Sequence, residues 1–299
     1  MELIPIDTHI SAIDHGLLGL PGVGACYVVQ GDAVALVESG TSLTVEATLA
    51  GLARLGVAPE AVEHILLTHV HMDHAGGAGY LAAALPRARV YIHSASAPHL
   101  SDPSRLIPSV RRAVGEAIWP LHGAILPIAP ERLSAAEHLR LDLGRDVIIE
   151  ALPTPGHSPD HISYWDRRSG GLFIGDAAGL CMPRYGLELV VTPPPAYDLV
   201  AQQQTIALLR GQHIERIYLT HFGAHKEVAE RLARADECLQ DLVALVDAAL
   251  QDPGIDVAAL ARRWLPYPDE APAALVAQSW GEMSVAGLLR YERKRRAIP

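Results

Sequence analysis

Positive charge is scarce in this chain of 299 residues, because 24 Lys and Arg stand against 34 Asp and Glu, for a net charge of −10 with His neutral. Proteins that bind a phosphate backbone usually carry a basic surface, so we expect no nucleic-acid partner. Long apolar runs are missing too. The most apolar stretches, such as "HILLTHV", are much shorter than the roughly 20 residues of a membrane helix. We therefore expect no membrane partner.

Cysteine is also rare, and Cys26, Cys181 and Cys238 are too widely spaced to form a CxxC pair or a disulfide framework. This usage is typical of a reducing compartment, where a lone cysteine commonly serves as a small buried side chain. The start, "MELIPIDTHISAIDHG", lacks the basic and then apolar segments of a secretory signal. Together these features predict a cytoplasmic protein.

Two of the common arrangements for covalent catalysis are also missing. The chain has no GxSxG motif, and none of its cysteines stands in a recognisable catalytic setting. Hydrophobic residues make up 49% of the chain and charged residues 19%, which excludes a largely disordered protein. The chemistry must therefore be sought in other residue types, and the chain holds 15 histidines.

The hydrophobic pattern divides the chain into two parts. Up to about residue 225, short β-rich runs alternate with stretches of helical period, and Gly31-Asp32 predicts a hairpin turn between two of the strands. From about residue 226, the pattern becomes helical throughout, beginning with "EVAERLARADECLQDLVALVDAAL". We therefore predict a mixed α/β domain at residues 1–225 and a helical extension at residues 226–299. The extension either caps the site or forms a dimer surface.

Metal-competent side chains follow four of the predicted strands. The stretch "LLTHVHMDHAGG" is the densest, and "TPGHSPDH", "FIGDAAG" and "LTHFG" follow other apolar runs. The residues concerned are His69, His71, Asp73, His74, His157, Asp176 and His221. Binding residues often gather on loops held by a rigid sheet. Imidazole with carboxylate suits zinc, iron or manganese, whereas calcium and magnesium prefer oxygen ligands.

The spacing within the first motif indicates two ions. In an extended loop, His69 and His71 lie on the same side and can bind one ion, because alternate residues share a face. Asp73 and His74 come where the chain turns into a helix and can face a second ion. A carboxylate between two cations would offset their repulsion, and Asp176 is the candidate.

These motifs together resemble the metallo-β-lactamase superfamily, from about Thr8 to His225. The resemblance implies a four-layer αβ/βα sandwich with a binuclear metal site at one edge and, in this chain, a C-terminal helical extension. It assigns His69, His71 and His157 to the first metal. It assigns Asp73, His74 and His221 to the second, with Asp176 as the bridge.

Within the superfamily, the motifs look like those of glyoxalase II and acyl-homoserine lactonases. Class B1 β-lactamases usually carry cysteine where Asp176 stands, and flavodiiron proteins carry glutamate where His71 stands. We therefore predict a binuclear hydrolase in which a metal-bridging hydroxide attacks an ester, lactone or thioester carbonyl. Asp73 and Asp176 are the predicted catalytic residues. The cofactors are two divalent ions, with zinc preferred and iron or manganese as alternatives.

Other functions remain open at this stage. A diiron oxygen-binding or redox protein uses the same fold, and a regulatory protein could retain a vestigial hydrolase site. A nuclease is disfavoured by the acidic balance of the chain. The expected partner is a small-molecule substrate, for which Met182, Tyr185, Tyr197 and His225 are the candidate contacts, and a homodimer is possible.

Overall fold

The computed structural model describes residues 1–250, 252 and 254–298. Seven strands from the first half of the chain form one mixed sheet, in which strands adjacent in sequence are adjacent in space. They are β1 (Glu2–Pro5), β2 (Ile10–Asp14), β3 (Ala25–Gln30), β4 (Val34–Val37), β5 (Val62–Leu66), β6 (Arg89–Ile92) and β7 (Leu133–Ala135). The first four strands pair antiparallel, and β4 to β7 run parallel. The predicted hairpin at Gly31 and Asp32 is confirmed.

Helices connect the parallel strands, as parallel pairing requires, and the first four of them pack against the outer face of this sheet. They are α1 (Val45–Arg54), α2 (Met72–Ala75), α3 (Ala78–Ala84), α4 (Ala97–Ser101) and α5 (Leu106–Val114). Leu52 of α1 and Leu81 of α3 belong to one buried cluster with Ile65 and Val90 of the sheet. This cluster forms the core between the first sheet and its helices.

The remaining strands form a six-stranded sheet and a small hairpin. The strands in chain order are β8 (Arg140–Asp142), β9 (Ile148–Pro153), β10 (Ile162–Asp166), β11 (Gly171–Gly175), β12 (Leu180–Met182), β13 (Leu187–Leu189), β14 (Arg216–Leu219) and β15 (Gly223–His225). The sheet order is β15-β14-β11-β10-β9-β8, while β12 and β13 pair with each other. The pairs are antiparallel except for β11 with β14.

The two sheets face each other across a core that contains buried aromatic rings. The ring centroids of Tyr27 and Phe173 are 5.2 Å apart in an edge-to-face arrangement. The Tyr27 hydroxyl donates a hydrogen bond of 2.6 Å to the Leu219 carbonyl, and the Tyr164 hydroxyl donates one of 2.7 Å to that of Leu67. Each bond ties one sheet to the other directly before a histidine-bearing loop. The tyrosines therefore help to fix where those loops begin.

Four further helices complete the outer layer on the second sheet. They are α6 (Leu199–Arg210), α7 (Val228–Ala249), α8 (Val257–Trp264) and α9 (Ala271–Arg296). The predicted αβ/βα sandwich with a C-terminal helical extension is thus confirmed. Gln251, Pro253 and Pro299 of that extension lie outside the described residues. Within the described part of the chain, no helix combines the length and apolarity needed to cross a membrane.

The helical extension packs directly onto the body of the protein. Leu232 and Leu242 of α7 and Leu288 of α9 share one buried cluster with Leu172 and Ile217 of the second sheet. Burial of these side chains from both parts stabilises their association. Whether residue 226 begins a separate domain stays a prediction.

Candidate metal centre

The predicted ligands come together at one edge of the sandwich, although they are up to 152 positions apart in the chain. His69 and His71 follow β5, α2 carries Asp73 and His74, His157 lies between β9 and β10, Asp176 follows β11 and His221 follows β14. The Ile162 N–H donates to the Thr68 carbonyl at 2.8 Å, and the Ala25 N–H donates to the Thr220 carbonyl at 3.0 Å. These backbone bonds hold loops of the two sheets against each other.

The first group of candidate ligands consists of three imidazoles. The Nδ1 atom of His71 lies 2.8 Å from Nε2 of His69 and 3.0 Å from Nε2 of His157. Ligand nitrogens bound about 2.1 Å from one tetrahedral zinc ion would be roughly 3.4 Å apart. The Nδ1–H of His157 donates to the Val191 carbonyl at 2.9 Å, which leaves a lone pair on Nε2. The three nitrogens therefore converge on one point, at separations slightly shorter than those around a bound ion.

The second group is an aspartate with two histidines. Nε2 of His221 lies 3.2 Å from Nε2 of His74 and 3.5 Å from Oδ2 of Asp73. The distance from Nε2 of His74 to Oδ2 of Asp73 is 3.8 Å. His74 and His221 are buried, whereas Asp73 is partly exposed. These three atoms also surround a single point.

Asp176 lies between the two groups. Its Oδ2 atom is 3.5 Å from Nε2 of His157 in the first group and 3.5 Å from Nε2 of His74 in the second. Its Oδ1 atom is 3.7 Å from Nε2 of His221 and is buried without a hydrogen-bond partner. A buried carboxylate oxygen without a partner is costly, and a cation would compensate it. Asp176 thus has the position expected of a bridge between two ions.

The hydrogen bonds behind the second group define which nitrogen faces the centre. The Nδ1–H of His221 donates to the Val23 carbonyl at 2.7 Å, and the Nδ1–H of His74 donates to the Glu38 carboxylate at 2.9 Å. In each neutral ring, Nε2 is then an unprotonated acceptor. Two lone pairs that face each other at 3.2 Å repel unless a proton or a metal ion lies between them. The donor set therefore fits a metal ion.

The charges around the centre also favour a cation. Burial acts to lower the pKa of His74, but the carboxylates of Asp176, Glu38 and Asp73 outweigh it and raise that pKa well above its usual value. Burial, with His157 beside it, lowers the pKa of His71 to about 4. The carboxylate side of the centre thus attracts positive charge, while the His71 side supplies neutral imidazole. Neutral imidazole and carboxylate are the forms that bind metal.

Sequence reasoning missed Glu38, which lies just beyond the end of β4. This fully buried carboxylate accepts hydrogen bonds from the Thr68 hydroxyl at 2.6 Å, the Thr220 hydroxyl at 3.1 Å and the His74 ring. The Thr68 hydroxyl in turn lies 2.9 Å from Nδ1 of His69. Glu38 therefore orients His74 directly and His69 through Thr68. The parallel pairing of β4 with β5 was the available signal, because parallel strands end at the same edge.

Asp160 and His161 hold the backbone around the ligands. Asp160, which sequence reasoning also missed, accepts from the Val70 N–H at 3.0 Å and from the Ser96 hydroxyl at 2.7 Å. It thereby fixes the peptide between the first two histidine ligands. Nε2 of His161 accepts from the Asp176 N–H at 3.1 Å. His161 therefore positions the backbone of Asp176 rather than joining either ligand group.

A cavity of about 580 Å³ opens onto this centre. His71, Asp73, His157, Asp176 and His221 line its base. The remaining lining combines apolar residues of α5, the proline-rich segment at residues 193–195 and α9 with polar residues that include His93, His99, His122 and Asp160. Such a volume is within the range of small-molecule sites. The candidate ligands are thus accessible to a substrate.

The four predicted substrate contacts do not line this cavity. Met182 is buried in a cluster behind it, and Tyr197 packs against the ring of Tyr291. The Tyr185 hydroxyl donates to the Pro21 carbonyl at 2.8 Å, and Nε2–H of His225 donates to the Phe222 carbonyl at 3.0 Å. Proximity to Asp176 and His221 in sequence suggested these residues. The chain turns away after Asp176 and after His221, so these four side chains pack away from the cavity instead.

The fold and the site define a metal-binding α/β sandwich protein, and comparison with known families identifies the class further. The family model described as the metallo-beta-lactamase superfamily matches residues 19–221. The chain therefore belongs to this superfamily. The glyoxalase II-like branch is consistent with one relative, a hydroxyacylglutathione hydrolase of Hahella chejuensis, which is 31% identical over 160 residues.

Further relatives agree with this placement. YobT of Bacillus subtilis (strain 168), an uncharacterised protein, is 32% identical over 154 residues, or 51% of this chain and 60% of YobT. The match to the hydroxyacylglutathione hydrolase covers 49% of this chain and 50% of that enzyme. The chain thus spans about half the length of the curated relatives it matches.

Solved structures show the same fold. ST1585 of Sulfolobus tokodaii, an archaeal superfamily protein, superposes with a TM-score of 0.72 at 19% identity, over 95% of this chain and 99% of that one. TTHA1429 of Thermus thermophilus superposes with a TM-score of 0.68 at 23% identity, over 99% of this chain and 93% of that one. Both superpositions include the C-terminal helical region, since they cover nearly the whole chain.

Proposed function

We propose that this protein is a binuclear metal-dependent hydrolase that cleaves an ester, lactone or thioester bond of a small molecule. The proposal rests on the convergence of imidazole Nε2 atoms. The Nδ1–H group of each of these rings donates a hydrogen bond away from the centre. Nε2 of His74 and Nε2 of His221 face each other at 3.2 Å, with Asp176 beside them. Superfamily members are mostly metal-dependent hydrolases, which agrees with this geometry.

Two divalent ions, when bound, would lower the pKa of water and polarise a carbonyl group. The residues of the chain then have separate tasks. Asp73 lines the cavity and lies 3.5 Å from His221, so its carboxylate is placed to accept a proton from the attacking water. Trp280 covers His221, with ring centroids 5.2 Å apart, and excludes bulk water from that side. Because the bottom of the cavity is shielded from water, electrostatic interactions there are stronger than in bulk solvent.

The substrate bond is proposed from the cavity and from one relative. The hydroxyacylglutathione hydrolase of Hahella chejuensis suggests a thioester. Apart from histidines, Arg105 is the one basic side chain among the described residues that line the cavity, and it is exposed. A substrate with several acidic groups, such as a glutathione conjugate or a phosphodiester, would have few partners. Uncharged esters, lactones and thioesters fit better.

The test is a substrate panel with metal-replete protein. We expect hydrolysis of at least one ester, lactone or thioester, loss of activity with a chelator and recovery with zinc, iron or manganese. Asp176→Asn should reduce activity by about 100-fold or more, because a direct metal ligand matters at least as much as the residues behind it. Asp32→Asn, at an exposed carboxylate, is the matched control and should retain activity.

Two results would contradict the proposal. The first is wild-type activity in Asp176→Asn, since the bridging role would then be wrong. The second is an absence of hydrolysis together with an oxygen-sensitive visible absorption band. That band would favour the diiron redox alternative instead.

A further inference from the structure

The cavity has a polar base and an apolar side wall. The side wall includes Val110 and Ala113 of α5, together with Trp280 and Met283 of α9. The Ser279 hydroxyl of α9 donates to the Val114 carbonyl at the end of α5, at 3.0 Å, and so fixes the two helices together. The wall is therefore a built feature of the fold and begins directly beside the candidate metal centre.

A second cavity of about 390 Å³ lies between the same two helices. Four residues line both cavities, namely Ala113, Val114, Pro194 and Met283. The two spaces are thus neighbours separated by these side chains. Met283 has the longest and most flexible side chain of the four, and methionine adapts readily to irregular gaps. Its side chain is the largest part of the partition.

We infer that the substrate carries an unbranched apolar chain that lies along the α5–α9 wall, and that Met283 limits the length of this chain. The inference rests on the proposed hydrolase function and adds the substrate class to it. The scissile carbonyl would lie at the base, beside Asp73 and Asp176, while the chain extends past Trp280 toward Met283. An uncharged chain fits the part of the wall formed by Val110, Ala113, Trp280 and Met283, because none of these four side chains carries an ionic group.

The expected size of the effect follows from the hydrophobic contribution of one methylene group. Each buried methylene should raise kcat/KM about fourfold until the chain reaches Met283. Longer chains must displace that side chain, so the gain should end there. The wild-type protein should therefore show a sharp optimum in chain length.

The experiment measures kcat/KM of metal-replete protein on straight-chain acyl esters and thioesters from two to twelve carbons. Met283→Ala should join the two cavities and move the optimum to longer chains, by at most about fourfold in relative kcat/KM for each added carbon, because Arg112, Glu116 and Glu282 also line the second cavity. Ala113→Leu should narrow the passage and move the optimum to shorter chains. Val200→Ala, on the exposed face of α6, is the control and should keep the wild-type profile.

A binding measurement separates this inference from the proposed function. Calorimetric titration with straight-chain carboxylic acids should show affinity that rises with length up to the same limit, and Met283→Ala should extend that limit. Such binding without hydrolysis of any substrate would refute the proposed function and leave the chain site standing. Hydrolysis with no dependence on chain length, or an optimum that neither variant moves, would overturn the inference alone.

Discussion

Replacement of Glu38 tests whether the buried network behind the ligands controls metal binding. Oε1 of Glu38 accepts from the Thr68 hydroxyl, the Thr220 hydroxyl and the His74 ring, while Oε2 accepts from the Thr68 N–H at 3.3 Å. In Glu38→Gln, one oxygen becomes an NH₂ group. If the amide oxygen replaces Oε1, the NH₂ group faces the Thr68 N–H. If it does not, three acceptor contacts are lost.

The magnitude follows from the loss of charge and of one acceptor. A hydrogen bond to a charged group contributes about 1.5–3 kcal/mol against about 1 kcal/mol for a neutral one, so the His74 contact weakens even in the better orientation. Loss of a partner behind a metal ligand typically lowers metal affinity about 10–100-fold. We expect a decrease of this size for the ion bound by His74, with Asp73 and His221.

The assay is titration of metal-free protein with zinc against a chromophoric chelator, fitted to two sites. Thr68→Val removes the hydroxyl beside His69 and should weaken mainly the ion held by His69, His71 and His157. Thr48→Val is the matched control, because the hydroxyl of this buried threonine donates to the Thr44 carbonyl and contacts no ligand. Wild-type affinity at both sites in Glu38→Gln would refute the network.

Two further variants test the packing and the pH dependence of stability. Gly287→Ala in α9 should destabilise the fold by about 1–3 kcal/mol, because its Cβ would collide with the Thr192 carbonyl, whereas Gly281→Ala meets only ordinary contacts and should not. Urea unfolding measures the free energy of unfolding of both variants. Equal stability of the two would contradict the close contact between Gly287 and the Thr192 carbonyl. Burial opposes ionisation of Glu137, but hydrogen bonds from Ser94 lower its pKa from 4.5 to about 2. Because the group is partly exposed to solvent, the ionised form should contribute only about 1 kcal/mol above pH 5, lost between pH 5 and 2. Urea unfolding should show that Glu137→Gln is less stable than wild type at pH 6 and that this difference in the free energy of unfolding is smaller at pH 3. An equal difference at both pH values would refute the lowered pKa of Glu137.

The sequence was sufficient to predict which side chains the fold brings together as candidate ligands, because their motifs are encoded locally. His69, His71, Asp73 and His74 occupy six positions after one strand, and alternate residues of an extended loop share a face. The more distant ligands could be added because each also follows a strand. The αβ/βα arrangement rested on the resemblance, since hydrophobic period alone does not determine which sheets face each other.

The supporting residues and the cavity wall could not be predicted in the same way. Glu38 is a single acidic residue in "VESG", and its role depends on contacts with Thr68 and Thr220, 30 and 182 positions away. The wall joins α5 to α9 through a contact between residues 165 positions apart. No local pattern encodes such pairs, so substrate contacts were sought near Asp176, where the chain turns away from the cavity.

The most direct test of the binuclear centre is anomalous X-ray diffraction from crystals of zinc-loaded protein, recorded on both sides of the zinc edge. Two peaks should appear at the base of the cavity. One should contact His69, His71 and His157, the other Asp73, His74 and His221, with Asp176 between them. A single peak, or peaks that leave Asp176 without contact to either ion, would contradict the binuclear centre.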